Sequence, residues 1–502
     1  MAFCPNEACP FRVRQGRAAE YRSGFERCSD CGATLDQGAP PAVPVENKRG
    51  AAQPFPWRAL AVTGLGPLAL WVSHSVPLPG IDAGTLESLQ ALDPRSGLLA
   101  RLSIGALGLM PFVTAFVVVE SMAALVPRWR ALRTSGPEGR VKLGRAVAAL
   151  GCLIALFQAW SQTQWLLSLG RVGYDSSPVL VEDASPFNAL LITLTLVGGS
   201  AALLILASLI TRRGLGNGWA VLLLSGFVFE AASVIPARIA LVRAEVTAPA
   251  SLPLFFVVHG GAALATVALL RLRRDGPLRN PLGGISAATL APVAVGTALG
   301  WLALLSGQTL LRGEGVPSLF SAVLVVPLSV GFALLWNQPR AVAQAVSRAG
   351  ADSAKAGSAV RAELPRAIGL AGLFGGALVL APLLISAPGF ASLALLSTVT
   401  ATAIVVDLGA ELGALRQRRD WVAVWPLHQV YAVAPVRTLL REAHIDCHLR
   451  GENFRVLFPF FEAYVPVEVF VPEADAPRAR ELLEHFALGE PAAAASPARV
   501  AA

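Results

Sequence analysis

Apolar residues occur along most of the chain in runs long enough to cross a membrane. A helical span needs about 20 mostly apolar residues, because about 1.5 Å of rise per residue must cover about 30 Å of hydrocarbon. We find ten such segments, separated by loops: 57–76, 99–125, 144–169, 187–210, 219–241, 252–270, 285–306, 317–336, 367–385 and 390–412. The pattern predicts an all-α polytopic membrane protein. Ten spans divide into two groups of five, and an odd-numbered group inverts in the membrane when it is repeated.

Charge in the connecting loops predicts the orientation. The loops that follow even-numbered spans hold sixteen Lys and Arg residues, and the opposite loops hold four clear ones together with most of the loop acids. Basic loops face the cytoplasm. Both termini are therefore expected to be cytoplasmic, in the inner (cytoplasmic) membrane.

Composition agrees with this class. The 502 residues are 54% hydrophobic and only 15% charged, which disfavours a soluble globular or an unfolded chain. The net charge of +8 is explained by the inside-facing loops, so nucleic-acid binding is not needed to account for it. No pairing of a nucleophile with a base is evident in the sequence, and an enzyme is not expected.

The polar N-terminus carries four cysteines in two close pairs, Cys4 with Cys9 and Cys28 with Cys31. Paired thiolates supply the four tetrahedral ligands of a structural Zn²⁺ site, and the glycine after Cys31 lets the turn close around the metal. A disulfide interpretation is weaker, because no export signal precedes the segment. We predict a zinc ribbon over residues 1–36, followed by a flexible Pro/Gly-rich linker over 37–56.

A soluble-like pattern returns after the last span. Short alternating segments predict a βαββα unit within residues 425–488, with strands at 428–434, 446–450 and 467–471 and helices at 435–443 and 475–486. The run Val-Glu-Val-Phe-Val-Pro-Glu-Ala-Asp-Ala at 467–476 resembles a small prokaryotic signal-transducing protein domain. Residues 489–502 are Ala/Pro-rich and are expected to be a disordered tail.

Five short signatures accompany the predicted spans in a fixed order. They are Pro-Leu-Pro-Gly-Ile-Asp at 77–82, Gly-Ala-Leu-Gly-Leu-Met-Pro at 105–111, Gly-Pro-Glu-Gly-Arg-Val-Lys at 136–142, Thr-Arg-Arg-Gly-Leu-Gly-Asn-Gly at 211–218 and Trp-Asn-Gln-Pro-Arg at 336–340. With the ten-span plan, residues 57–420 resemble the SecY family, the channel subunit of the bacterial preprotein translocase.

The resemblance implies a two-halved clamshell around an hourglass pore, with a lateral gate between spans 2–3 and 7–8. It implies an apolar pore ring that includes Leu109, Val113, Leu223 and Val293. The remaining two ring positions fall near Trp219 and Thr400, and a short plug is expected between residues 82 and 105. Such a ring disfavours a water column yet yields around an unfolded chain. Ordinary helix packing remains the alternative role for each ring residue.

The family resemblance also implies partners. These are unfolded polypeptide substrates, membrane lipid, a SecE-like subunit, and SecA or a ribosome at the cytoplasmic loops. Here the loop between spans 6 and 7 is short, and Arg340 and Lys355 are the residues expected to mark the second docking loop. A Lys does not replace an Arg in a docking contact without loss.

Two acids lie within the last predicted span. Asp407 and Glu411 are four residues apart near its cytoplasmic end, and Arg416, Arg418 and Arg419 follow. We expect the acids to pair with these arginines at the membrane interface.

Two functional hypotheses follow. The first is a protein-conducting channel subunit, a divergent paralogue that passes unfolded chains across or laterally into the membrane. The second is a SecY-derived scaffold or sensor that no longer translocates, in which the two terminal modules bind cytoplasmic partners. The signatures and span plan favour the first hypothesis, and the shortened loops and added modules favour the second.

Overall fold

A computed structural model gives the fold. It describes parts of the cysteine segment (2–6, 9, 20–21, 27–28 and 31–37) and residues 56–272 apart from 83, 87–101, 135–136, 170–180, 182 and 184. It also describes 326–331, isolated positions from 343 to 373, and 395–488 apart from 418–419, 429, 459–460 and 462–464. Two compact units result, Met1–Phe55 and Pro56–Ala502.

The first unit contains a small antiparallel sheet. Strand β1 (Ala2–Phe3) lies between β2 (Glu20–Tyr21) and β3 (Asp36–Gln37). Such short strands bury almost no apolar side chains, and the buried cluster of this unit consists mainly of cysteines. The predicted linker lies mostly outside the described residues.

The second unit begins with long helices. Their bounds are α1 Trp57–Ser75, α2 Met110–Leu125, α3 Pro127–Thr134, α4 Pro137–Leu169, α5 Pro186–Arg213, α6 Gly218–Arg243, α7 Ser251–Leu272 and α8 Leu395–Gln417. Within the described part of the chain, five helices are long and apolar enough to cross a membrane: Val141–Leu167, Pro186–Arg213, Gly218–Arg243, Ser251–Arg271 and Leu395–Gln417.

Of the eight helices, all but α3 fall on predicted spans, which gives seven of the ten. The spans predicted at 285–306, 317–336 and 367–385 lie wholly or largely outside the described residues. Helix α1 packs against α5 and α6, α4 packs against α2 and α5, and α8 packs against α6 and α7. Large apolar side chains such as Phe187, Ile205 and Leu264 point outward and remain exposed, as a lipid-facing surface requires.

The second predicted span is shorter than expected. Its helix begins at Met110 and not at residue 99, because the preceding residues form turns. Gly108 has a positive φ of 52°. The N–H of Gly105 donates to the carbonyl of Ser73 at 2.9 Å, and a side chain at Gly105 would collide with Ser73. Gly105 and Gly108 therefore belong to a turn, not to the helix, and this turn packs closely against the end of α1.

The C-terminal module (residues 421–488) follows directly after α8. Its sheet has the order β4-β6-β5, all antiparallel, with β4 at Trp421–Leu427, β5 at His448–Arg450 and β6 at Val467–Pro472. Helices α9 (Val433–Glu442) and α11 (Ala476–Leu488) pack with it, and a short helix, α10 (Glu452–Leu457), follows β5.

The first strand of this module was predicted in the wrong place. Val430–Ala432 form a single helical turn, α9 begins at Val433, and the strand is the preceding Trp421–Leu427. Helical residues that include Val433 and Val436 bury an amphipathic face in the module's core. Short apolar runs do not by themselves distinguish a helix start from a strand.

Candidate functional site

A glycine-rich turn joins α5 to α6 and sets the first residues of α6. The side chain of Asn217 accepts a hydrogen bond from the N–H of Trp219 at 2.9 Å and caps the helix. Gly216 has a positive φ of 71° and Gly218 packs against the backbone of Ala207, so both positions require glycine. The turn therefore holds Trp219 in one place.

Trp219 lies in an aromatic cluster at the end of the helix bundle. Its ring meets Phe112 and Phe116 of α2 edge-on, at centroid distances of 6.4 and 5.4 Å. Phe461 of the C-terminal module is 5.0 Å from Phe116 and 6.3 Å from Trp219. Edge-to-face pairs at these distances add stability beyond the burial of area. We call the surface made by Phe112, Phe116 and Trp219 the bundle mouth.

The described ring candidates lie in the same apolar cluster as the bundle mouth. Leu109 and Val113 are buried there, and Leu223 packs against it half-buried. Trp219 belongs to the cluster, and Thr400 is buried on α8 beside it. These residues therefore share one core, which both a pore ring and ordinary helix packing would require.

The two acids of α8 contact the C-terminal module and the turn before α6, partners that the sequence did not predict. One carboxylate oxygen of Asp407 accepts from the backbone N–H and the side-chain amide of Asn453 at 3.0 and 2.9 Å, and the other accepts from the N–H of Phe454 at 2.8 Å. Glu411 accepts from Arg450 at 2.6 Å and from the N–H of Gly216 at 2.6 Å. The acids are anchors for the C-terminal module.

Arg450 occupies the centre of this polar contact. Its guanidinium also reaches Glu468 at 3.2 Å and the carbonyl of Thr211 at 3.4 Å, and it lies 4.5 Å above the ring of Phe470. It thus connects α5, α8 and the module's sheet. Removing one member of a buried pair leaves the other charge uncompensated, so each of these contacts depends on the others.

The segment that reaches the bundle mouth is held in shape by a buried arginine. Arg455, 1% exposed, donates to the carbonyls of Phe458 at 2.7 Å and His428 at 2.8 Å. Arg437 pairs with Glu452 at the start of α10. Arg455 therefore holds α10 against Phe458 and His428.

Burial shifts the titration of two side chains beside Arg450. Burial, with a smaller contribution from the positive charges of Arg450 and Arg437, lowers the pKa of His448 to about 4. Burial also raises the pKa of the Cys447 thiol. Both groups are therefore neutral at pH 7 and add no charge beside Arg450.

The four N-terminal cysteines converge in the first unit. Their sulfur atoms all lie within 4.8 Å of one another, with Cys4 and Cys31 at 3.5 Å and Cys9 and Cys28 at 3.7 Å. Sulfurs bound to one zinc ion at about 2.3 Å lie about 3.8 Å apart at tetrahedral angles, whereas a disulfide is about 2.05 Å long. The spacing fits a metal site.

The backbone supports the same geometry. Gly32 has a positive φ of 71°, and its N–H donates to the carbonyl of Cys28 at 2.9 Å. Burial raises the pKa of Cys4 to about 12, so a thiolate there requires a cation beside it at neutral pH.

Comparison with known proteins identifies the helical part of the chain. The family model for SecY matches residues 103–412, more than half of the sequence. The chain belongs to the SecY family. Relatives include the protein translocase subunit SecY of Mycobacterium tuberculosis, 32% identical over 181 residues, and that of Rickettsia conorii, 30% identical over 184. The alignments cover 35% of this chain and 41–42% of those proteins, so the chain spans about two fifths of the relatives' length.

Two solved structures are also similar. One, described as the structure of a protein conducting channel, has a TM-score of 0.48 at 12% identity and covers 72% of this chain and 94% of its own. The other, Sec61 in the canine ribosome-channel complex, has a TM-score of 0.46 at 13% identity with the same coverage.

Several SecY-family expectations fall outside the described residues. Among them are Val293 of the ring, Arg340 and Lys355 of the docking loop, and most of the plug segment. The two spans predicted for the second side of the lateral gate also lie there, apart from residues 326–331. These assignments stay predictions.

The sequence interpretation missed the aromatic residues of the C-terminal module. Phe454, Phe458 and Phe461 fall between the predicted strands in a stretch with no assigned element. The available signal was their density, since a connection between two strands rarely carries so many large apolar side chains without a surface to cover.

Proposed function

We propose that this chain is the channel-forming subunit of a SecY-type translocase, passing unfolded polypeptides across or laterally into the cytoplasmic membrane, as a divergent paralogue. The match of the SecY family model to residues 103–412 carries the proposal. The buried cluster that contains Leu109, Val113 and Trp219 between α2, α6 and α8 supports it, since an apolar constriction needs such side chains from several helices.

In this proposal both termini are cytoplasmic, and the channel works with a SecE-like subunit and an energy-supplying partner, SecA or a ribosome. The relatives carry the name translocase subunit, and one similar structure is a ribosome-channel complex. In this proposal the residues of the chain line a path for the polypeptide and catalyse no reaction, so we assign no catalytic group.

We also propose that Cys4, Cys9, Cys28 and Cys31 hold one structural zinc ion as a zinc ribbon. The sulfur spacing supports this assignment. Four thiolates fill a tetrahedral coordination sphere, so the ion would stabilise the fold of a segment with little core of its own and would not bind substrate.

The channel is tested by crosslinking to a polypeptide arrested during transport. The full chain is reconstituted with SecE-type and motor partners, and a photoreactive residue replaces Val113 of α2, which is 6% exposed. The matched control is Val118 on the outer side of the same helix, 39% exposed. We expect crosslinks to the arrested polypeptide from position 113, and lipid contact without polypeptide crosslinks from 118.

Failure of transport and of crosslinking at position 113, in a folded protein with its partners bound, would refute the channel. The scaffold or sensor hypothesis would then be preferred, since it requires the terminal modules and needs no open path.

A further inference from the structure

Residues of the C-terminal module fill the bundle mouth. We propose that α10 together with Phe458, Phe461 and Val465, which we call the wedge, closes the channel from the side that bears Arg212 and Arg213 and competes with an entering polypeptide for the bundle mouth. The inference rests on the proposed channel function and adds a built-in inhibitor to it.

The first observation is where the wedge side chains are buried. Phe454, Phe458, Phe461 and Val465 belong to the apolar cluster of the helix bundle, together with Phe116 and Trp219. The module has a separate core of its own, built around residues that include Val436, Val469 and Leu483. The wedge is therefore a projection that completes a surface outside the module's own core.

The second observation is the chemistry of the contact. Phe461 is 1% exposed and touches rings from both α2 and α6, so aromatic side chains cover the bundle mouth. An unfolded polypeptide offers apolar and aromatic side chains of the same kind. Only one of the two can occupy the mouth at a time.

The third observation is the polar border around these rings. Asp407 receives three hydrogen bonds from Asn453 and Phe454, and Glu411 receives the guanidinium of Arg450. We call these two contacts the latch. Charged hydrogen bonds of this kind fix orientation as well as adding affinity.

The fourth observation is depth. Phe116 lies three residues after the predicted ring residue Val113 on α2, a rise of about 4.5 Å. The wedge thus contacts the ring position at Trp219 and stands about one helical turn from Val113, on the side where Arg212 and Arg213 end α5. Among the described residues, the wedge covers Phe116 and Trp219 of the bundle mouth on that side.

The test measures access to the ring and does not require transport. Val113→Cys is introduced into the full chain in sealed vesicles, and a membrane-impermeant maleimide is added on the side of the C-terminal module. Its rate of reaction at position 113 is followed by peptide mass spectrometry, which separates this site from the native cysteines. We expect slow labelling with the wedge intact and at least tenfold faster labelling after Phe461→Ala.

Two further variants keep the result interpretable. Phe486→Ala removes a buried phenylalanine from the module's own core and should leave the labelling rate at position 113 unchanged. Asp407→Asn weakens the latch while retaining every aromatic ring, and should speed labelling even where Phe461→Ala is poorly produced.

The outcomes are distinct. Unchanged labelling in both Phe461→Ala and Asp407→Asn overturns the wedge, as does equal acceleration by Phe486→Ala. Faster labelling in the wedge and latch variants establishes the wedge, and transport by the same proteins then tests the channel separately. Faster labelling without transport refutes the proposed function alone.

Discussion

Gly218 is the residue of the interhelical turn at which an added methyl group should cost most. An alanine Cβ there would lie 1.9 Å from the carbonyl oxygen and 2.6 Å from the carbonyl carbon of Ala207. Both atoms belong to the backbone of α5, which no rotamer change can move away. Contacts between carbon and a carbonyl oxygen are normally no closer than about 3.3 Å, so the start of α6 must shift by more than about 1 Å.

The free energy of unfolding should fall by about 1–3 kcal/mol, the usual cost of overpacking a close contact. The same shift displaces Trp219 from Phe116 and Phe461, which adds to the loss. Gly226, on the same helix, provides the matched control, because its added Cβ would have no atom within 4 Å. Alanine there should be neutral or should stabilise α6 by about 0.5–1 kcal/mol, since alanine has the higher helix propensity.

The assay is thermal unfolding of the purified full chain in one detergent, with each variant compared with the parent protein. The unfolding temperature should fall for Gly218→Ala and should stay level or rise for Gly226→Ala. Equal unfolding temperatures for the two variants would refute the close approach of α5 and α6 at this turn.

Three other outcomes are expected. Cys28→Ser should abolish the zinc content of the purified protein, because one of four ligands is lost, whereas Cys152→Ser should leave it unchanged; equal zinc in both would contradict the site. The folded pKa of His448, about 4, lies below its unfolded value of 6.5, so the unfolded chain binds more protons between these values and stability should fall as pH drops through that window. The loss over the whole window is about 3–4 kcal/mol, of which about 2 kcal/mol falls between pH 7 and pH 5, and melting curves at these two pH values should show it for the parent chain but not for His448→Gln. Asn217→Ala should lower the free energy of unfolding by about 1 kcal/mol through loss of the cap on α6, and Asn217→Asp should retain the cap; equal melting of the two would contradict it.

The positions of most helices could be predicted from the sequence. The thickness of the bilayer sets the length of a span, and an apolar run of that length is visible in the sequence. The second span was predicted to begin too early, because the turn at Gly105 and Gly108 lies within an apolar run. The average hydrophobicity of that run does not distinguish the turn from a helix. The convergence of the four cysteines was equally predictable, since two closely spaced pairs of Cys are typical of a metal site.

The contact between the C-terminal module and the bundle was not accessible. Asp407 and Glu411 have arginines nearby in sequence, and local pairing was the simpler expectation. Their actual partners include Arg450 and Asn453, about 40 residues away along the chain, which only the fold brings together. Periodicity predicts which face of an element is apolar but not which distant surface will cover it.

The connection between α8 and the sheet limits how the module can move. Helix α8 ends at Gln417 and β4 begins at Trp421, whose indole N–H donates to the carbonyl of Ala414 on α8 at 3.2 Å. Three intervening residues reach only about 10 Å when extended. Because the module is covalently linked to α8, its effective concentration at the bundle mouth is very high. A free polypeptide could not reach the same concentration in solution. Displacement would have to be a swing about the end of α8, and whatever drives it must act on the module itself.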